Sequence, residues 1–276
     1  MSITASAVNE LRKMTGAGMM DCKKALQETN GDMEAAIDFL RKKGQKISAK
    51  RADRDATEGA VIAKTTADNT FGVVVKLSCE TDFVAKNDDF VALANEIADL
   101  ALENKPADKD ALGALAFRGA TVSETLVNEM GKIGEKIELA QYENVSGDAV
   151  SAYIHAGNKI GVLVELSVGG SEEIIQAGKD VAMQAAAMNP VSVDENDVPE
   201  DVKERELEIG REQARAEGKP EQIIDKIAQG KLNKFYKDNT LANQTFVKDS
   251  SVSVAAMLKN INSDLSIKGF TRVALG

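Results

Sequence analysis

A unit of two β-branched strands and an Ala-rich helix occurs twice in the chain, and it constrains the fold more than any other feature. In the first copy Gly59-Ala60-Val61-Ile62-Ala63 runs into the polar turn Ala67-Asp68-Asn69 and then into Gly72-Val73-Val74-Val75-Lys76-Leu77-Ser78. In the second, residues 150–154 run into Gly157-Asn158-Lys159 and then Gly161-Val162-Leu163-Val164-Glu165-Leu166-Ser167. The second strands correspond at an offset of 89 residues, Gly72 to Gly161. β-branched runs separated by Asn- and Gly-bearing turns predict hairpins. A helical pattern follows each. Phe90, Leu93, Ala94, Ile97 and Ala101 share one face and stop before Pro106, and Ile174, Gly178, Val181, Ala182 and Ala185 do the same before Pro190. Small residues on these faces let a helix approach its sheet closely. The expected fold is α+β, built on two related antiparallel subdomains.

The copies differ at one joint. After Ser167 the second has only Val168-Gly169-Gly170-Ser171, a turn and a helix cap, whereas after Ser78 the first inserts a polar loop carrying Thr81, Asp82 and Phe83. An apolar ring beside a carboxylate on such a loop is either tucked under it, with Asp82 as a local cap, or offered to a partner. Pattern alone favours the tucked arrangement. The second copy argues the other way, because it shows that a shorter joint suffices, so the first loop is expected to have a task of its own.

Residues 3–43 read as three short helices. Thr4 or Ser6 caps the first, whose stripe is Val8, Leu11 and Met14. Gly16-Ala17-Gly18 breaks it, Cys22, Ala25 and Leu26 mark the second, Asn30-Gly31 ends that one, and Asp32 caps a third with Met33, Ala36, Ile37 and Leu40 in register. Roughly 40 residues is a marginal size for independent folding, so a small tethered module is expected. Met19 and Met20 fall outside the stripe; such a pair either fills core gaps or forms an adaptable contact surface. Residues 44–58 read as a polar, partly helical linker, and Lys42, Lys43, Lys46, Lys50, Arg51 and Arg54 as its solvated charge.

Between the copies, residues 123–132 are helical (Leu126, Met130), and Lys132-Ile133-Gly134-Glu135 turns into a strand over 137–145. Gly131-Lys132 and Gly134 lack the spacing of a phosphate loop and follow a helix rather than a strand, and Gly16-Ala17-Gly18 fails in the same way. Residues 199–229 form a polar helix pair about Glu217-Gly218-Lys219-Pro220. Its thin apolar stripe (Val202, Leu207, Ile209, Ala214, then Ile223, Ile224, Ile227) suits a hairpin standing off the body. Phe246-Val247, a helix over 253–261 and a strand over 270–275 return the chain to the sheet.

Composition narrows the function. The 276 residues suit about two domains. A net charge of −10 argues against a phosphate-backbone binder, and no Trp, 4% aromatic residues and a single histidine leave little for base stacking, His-based metal sites or a Ser-His-Asp relay. No apolar run approaches the ~18 residues of a membrane span, and the N-terminus has neither a signal-peptide nor a transit-peptide character, so a cytoplasmic location is expected. Cys22 and Cys79 share no CxxC spacing and read as buried thiols. Binding to another protein is favoured over chemistry, with no cofactor. His155, near the second hairpin turn, reads by itself as a polar edge residue.

Several segments together resemble the elongation factor Ts family, the guanine-nucleotide exchange factors of elongation factor Tu. They are Leu11-Arg12-Lys13-Met14-Thr15-Gly16-Ala17-Gly18-Met19-Met20-Asp21-Cys22-Lys23-Lys24-Ala25-Leu26, then Thr81-Asp82-Phe83-Val84-Ala85-Lys86, then His155 with Ile160-Gly161-Val162-Leu163-Val164. The resemblance covers essentially the whole chain in the family's order. It implies a ubiquitin-associated-like three-helix module over 1–43, a linker over 44–58, a core subdomain over 59–145 with the Thr81-Asp82-Phe83 loop, a second over 146–190 and 231–276, and a protruding coiled-coil hairpin over 191–230. It further implies that Asp82 and Phe83, flanked by Thr81 and Val84, wedge beside the GTPase's Mg²⁺ site, and that Arg12, Met19 and Met20 pack on one of its helices. A contact from Ile133 is implied too, with the segment around His155 bearing on the phosphate-loop side. No direct nucleic-acid or membrane contact is implied, and self-association is left open.

This chain departs from the family at Ala156, Asn158 and Lys159, where glycine or arginine is frequent, and it ends at Gly276, so contacts made by a further helix in some relatives are not expected. Two rival readings stand beside the exchange factor. One is a scaffold that grips peptides or ubiquitin-like proteins through Met19 and Met20, which leaves the inserted loop unexplained. The other is an enzyme using Asp82, Cys79 and His155, which nothing in the sequence orients.

Overall fold

The computed structural model describes residues 3–276. Two compact units divide the chain: the first holds it up to Ile62 together with Val75–Glu143 and Ala274–Gly276, the second holds Ala63–Val74 and Asn144–Val273.

The first unit opens with α1 (Ala5–Thr15), α2 (Met19–Glu28) and α3 (Met33–Arg51). Thr4 caps α1 by accepting from Ala7 N–H at 3.2 Å, Gly16 ends it in the left-handed conformation (φ +67°), and Asp32 caps α3 by accepting from Ala35 N–H at 2.9 Å. Helices this short are marginal alone and depend on a shared core, here Val8, Leu11, Cys22, Ala25, Leu26 and Ala36. Met14 does not join it. It sits one residue from the end of α1, exposed, and lines a cleft.

The segment expected as a linker is helix as far as Arg51, because α3 keeps a packing partner beyond Lys43. That partner is α7 (Val122–Ile133). A Cβ built on Gly44 would stand 3.1 Å from the carbonyl oxygen of Val127, and one on Gly131 would stand 3.1 Å from Cα of Gly44. Gly131 is thus a helix-crossing residue, and Gly134, in the left-handed region at φ +82°, is the C-cap of α7. The basic cluster is only partly a solvated face. Lys43 pairs with Asp21, and Arg51 and Arg54 close on Glu80.

β1 (Glu58–Thr65) and β2 (Phe71–Cys79) form the first hairpin, and β5 (Ile137–Ser146) joins on the β2 side, giving the order β1-β2-β5. β6 (Ala149–His155) and β7 (Ile160–Leu166) form the second, antiparallel with His155 opposite Ile160, and β10 (Ile267–Ala274) joins on the β7 side. In both copies the late strand pairs with the second strand of the hairpin, so the sequence repeat is a repeat of sheet topology. The tip of the first hairpin, Ala63–Val74, belongs to the second unit.

The helices of the repeat match as well. α5 (Asp88–Asn104) is capped by Asn87 and α8 (Glu172–Met188) by Ser171, and they end on the left-handed residues Lys105 (φ +49°) and Asn189 (φ +47°), each just before a proline. The buried face of α5 is Phe90, Leu93, Ala94, Ile97, Ala98 and Ala101. α8 lies so near β6 that a Cβ on Gly178 would come within 2.2 Å of Ser151 Oγ. Asp88 and Glu172 start helices 84 residues apart, against 89 for the strands, so the first copy carries five more residues at its joint. A one-turn helix, α4 (Asp82–Ala85), occupies that insert.

The short helix α6 (Lys109–Ala114) and the two-residue strands β3 (Ala116–Phe117) and β4 (Ala120–Thr121) link α5 to α7. In the second unit α9 (Glu200–Ala216) and α10 (Glu221–Asn239) pack on each other, burying Gly210, Ala214, Ile224, Ala228 and Leu232. α10 runs nine residues past 230, and Ile209 and Ile223, placed on the inner stripe, are exposed; contact runs through small residues, with Gly210 against Ala228. A ribbon of β8 (Thr245–Phe246) and β9 (Asp249–Ser253) leads through α11 (Val254–Ile261) to β10. Among the described residues no helix is long and apolar enough to cross a membrane.

Candidate functional site

The insert between β2 and α5 is organised by Thr81. Its extended backbone makes it the N-cap of α4, and its Oγ1 accepts from Val84 N–H at 3.4 Å. The cap is therefore Thr81 rather than Asp82, since a capping side chain must come from the last non-helical residue. Asp82 instead turns outward and accepts from Lys86 Nζ at 2.7 Å, one turn on. That hydrogen bond holds its carboxyl below the usual carboxylate range.

Phe83 is 84% exposed, so the ring is not tucked under the loop. The inner side of the turn is taken by polar bonds. Thr81 donates its N–H to Glu135 Oε2 at 3.1 Å and its hydroxyl to Glu135 Oε1 at 2.8 Å. One residue earlier, Glu80 accepts from Lys136 N–H at 2.6 Å, from Arg51 Nη1 and from Arg54 Nη1 at 3.0 Å. Burial pushes the Glu80 carboxyl up, but these donors more than offset it and hold the group down at about 2. Lys136 Nζ in turn donates to the carbonyls of Ala52 and Arg54 at 3.1 and 3.0 Å.

Ile133, 41% exposed at the end of α7, lines one cleft of about 580 Å³ with Phe83, Val84, Gly16 and Lys132. Arg118 lines it too, fixed by a two-pronged bond to Glu96 (2.9 and 2.7 Å) and stacked 5.2 Å over the Phe117 ring. Met19 and Met20 open α2 at 54% and 73% exposure, and Arg12 lies exposed in the last turn of α1. Unbranched thioether chains outside any core make an adaptable apolar surface. All eight of these candidate positions, Arg12, Met19, Met20, Thr81, Asp82, Phe83, Val84 and Ile133, lie in the first unit.

His155 belongs to the second unit. It ends β6 half-buried, with Nδ1 3.1 Å from the Tyr153 hydroxyl and the two rings 5.8 Å apart. Ala156, Gly157 and Asn158 follow it in the left-handed region (φ +54°, +64° and +68°). Only Gly157 adopts that conformation without cost, so the tip is set by a tight turn rather than by residue preference.

Both cysteines are buried. Cys79 is buried and donates to the Thr81 carbonyl at 3.2 Å, and burial together with the Glu135 carboxylate pushes its thiol up to about 12. The thiolate is the reactive form, so this sulfur is inert near neutrality. Cys22 is buried in the core of the three-helix module. Among the described residues no group of His, Cys, Asp and Glu could hold a metal. Sequence reasoning did not single out Glu80, Arg51 and Arg54 for the site, nor Glu135 beyond its turn. Their partners lie 26 to 56 residues away, beyond the reach of any local pattern.

Residues 80–276 match the family described as Elongation factor TS. Relatives named Elongation factor Ts align along almost the whole length. That of Christiangramia forsetii is 54% identical over 99% of both chains, that of Amoebophilus asiaticus 53% over 100% of both, and that of Chloroherpeton thalassium 46% over 99% of this chain and 98% of its own. With this likeness added to the repeated hairpins and the exposed Phe83 turn, the chain belongs to the elongation factor Ts family.

Proposed function

We propose that this chain releases GDP from elongation factor Tu in the cytoplasm, acting by binding alone and without a cofactor or covalent step. The family supports the partner, and one observation supports the means: Phe83 stands 84% exposed on a turn whose neighbouring backbone is fixed by hydrogen bonds. A large ring held in water costs hydration free energy that a partner's pocket recovers on contact. In this reading Asp82 and Phe83 enter the GTPase beside its Mg²⁺ site and displace the elements that hold the ion, so the bridging of the nucleotide phosphates is lost. Val84 and Ile133, on the same cleft, seat the wedge. Arg12, Met19 and Met20 hold a helix of the GTPase, and the His155 turn bears on its phosphate-loop side.

The thermodynamic requirement is simple. The factor must bind nucleotide-free GTPase more tightly than the GDP-bound form, and by linkage GDP is weakened by the same factor. The test is release of a fluorescent GDP analogue from purified elongation factor Tu with this chain at substoichiometric amounts. Rapid turnover is expected, with Phe83→Ala slower by roughly thirty-fold if the ring is an anchor of ~2 kcal/mol. The same variant should unfold at an unchanged temperature, because so exposed a ring contributes little to the core. No acceleration by the unaltered chain, or a loss of fold in Phe83→Ala, would remove this reading.

A further inference from the structure

We infer that Glu135 and Glu80 are positioning residues that set the attitude of the Asp82-Phe83 turn, and that through Arg51 and Arg54 the end of α3 is wired to that turn. The inference rests on the exchange reading of Phe83. Its basis is a reciprocal exchange of bonds between two dipeptides. Glu80-Thr81 and Glu135-Lys136 grip each other: the side chain of Glu135 takes the N–H and hydroxyl of Thr81, and the side chain of Glu80 takes the N–H of Lys136. Each carboxylate thus reads the backbone of the opposite segment. A backbone held this way cannot slide without breaking bonds on both sides.

The consequence for Phe83 follows from geometry. Thr81 is at once the ligand of Glu135 and the N-cap of the single turn that carries Asp82 and Phe83. One helical turn has no stability of its own, so its direction is that of its cap. Two bonds to Glu135 fix Thr81, and the carboxylate one residue before it is fixed by three donors. Arg51 closes α3 and Arg54 lies just beyond it. The same α3 is part of the module that presents Met19 and Met20, since its residue Ala36 shares the core of α1 and α2. A load on the methionine face therefore has a direct path to the wedge. Contact energy of a fixed wedge goes into displacing the partner, whereas a loose wedge spends it on its own ordering.

The test compares Glu135→Ala, Glu135→Gln and Phe83→Ala, alone and combined, in the full chain. Two quantities are read: the maximal rate of GDP release at saturating factor, and the factor concentration giving half of it. Glu135→Ala should lower the maximal rate about ten-fold with the half-saturating concentration within about two-fold of the unaltered chain. Glu135→Gln, which keeps an acceptor for Thr81 N–H and an amide for its hydroxyl, should recover most of the loss. In the Phe83→Ala background Glu135→Ala should have no further effect, because it acts through the ring. Equal loss of rate and affinity, additivity with Phe83→Ala, or no effect of Glu135→Ala would each overturn the inference. If Glu135→Ala lowers the unfolding temperature, both readouts are taken well below its midpoint, where the variant is folded; a loss of maximal rate that persists there supports the inference, and one that disappears overturns it. Failure of the unaltered chain to release GDP would instead remove the exchange reading itself.

Discussion

Gly44 of α3 and Gly131 of α7 meet backbone to backbone, with a Cβ on Gly131 only 3.1 Å from Cα of Gly44. This contact extends α3 past the three-helix core and carries its end to Glu80. A side chain at either position must push one helix off the other, and the atoms in the way are main chain, which cannot rotate aside. Gly131→Val should therefore cost about 1–3 kcal/mol, the usual scale of overpacking. Thermal or urea unfolding of the variant against the unaltered chain measures it. An unchanged midpoint would mean that the crossing relaxes at no cost.

Two glycines within the α9/α10 pair predict opposite signs. A Cβ on Gly210 would lie 3.0 Å from Cα of Ala228, while Gly230 has nothing within 4 Å. Alanine at an open helix position restricts the unfolded chain and gains about 0.5–1 kcal/mol. Gly230→Ala should raise the urea midpoint and Gly210→Ala should lower it. Equal shifts would show that propensity, not helix spacing, governs both.

What the sequence made legible is what repeats locally. Phe90 to Ala101 and Ile174 to Ala185 kept helical period, and the strands kept their offset, so both hairpin–helix copies and the Ser171 cap of the second were readable. So, in the N-terminal helices, were the Asp32 cap and, as one of two choices with Ser6, the Thr4 cap. β5 was foreseen only as a strand and β10 as one that returns to the sheet; which strand each pairs with was not readable, since pairing between segments so far apart in the chain leaves no local trace. Phe83 was misjudged from pattern because a ring beside a carboxylate is usually covered. Only the comparison with Val168-Gly169-Gly170-Ser171 pointed outward. The bonds that hold Thr81 were invisible for the same reason as the sheet pairs: Glu135 lies 54 residues away. Met14 shows the reverse failure, a good period that runs out one residue before the helix ends.

Both cysteines should resist thiol reagents in the folded protein at pH 8. Cys79 is fully buried with its thiol at about 12, and Cys22 is fully buried in the module core. Burial raises the Cys79 thiol above its ordinary value of 9.0, so the stabilisation is complete below pH 9 and fades as pH rises toward 12. A colorimetric thiol assay should count no fast-reacting sulfur natively and two after denaturation. Rapid reaction of one thiol in the folded chain would mean that the Thr81 segment opens on the assay's timescale.

Glu80 should govern part of the acid stability. Its folded value of about 2 lies below the ordinary 4.5, so the unfolded chain takes up the proton first as pH falls. The contribution is whole above pH 4.5 and is lost as pH drops through about 2. Two and a half units amount to on the order of 3 kcal/mol, an upper figure because Arg54 is largely in water and its share is screened by salt. The Glu80 side chain itself is only 13% exposed, which shields the bonds from Lys136 N–H and Arg51. Unfolding free energy measured between pH 5 and pH 2.5 should fall less steeply in Glu80→Gln, by up to about one proton's worth of slope. Added salt should shrink the difference only in part, since the backbone donor does not respond to screening. If the two slopes coincide, the carboxylate is not held by these donors, and the end of α3 is not tied to the turn that carries Phe83.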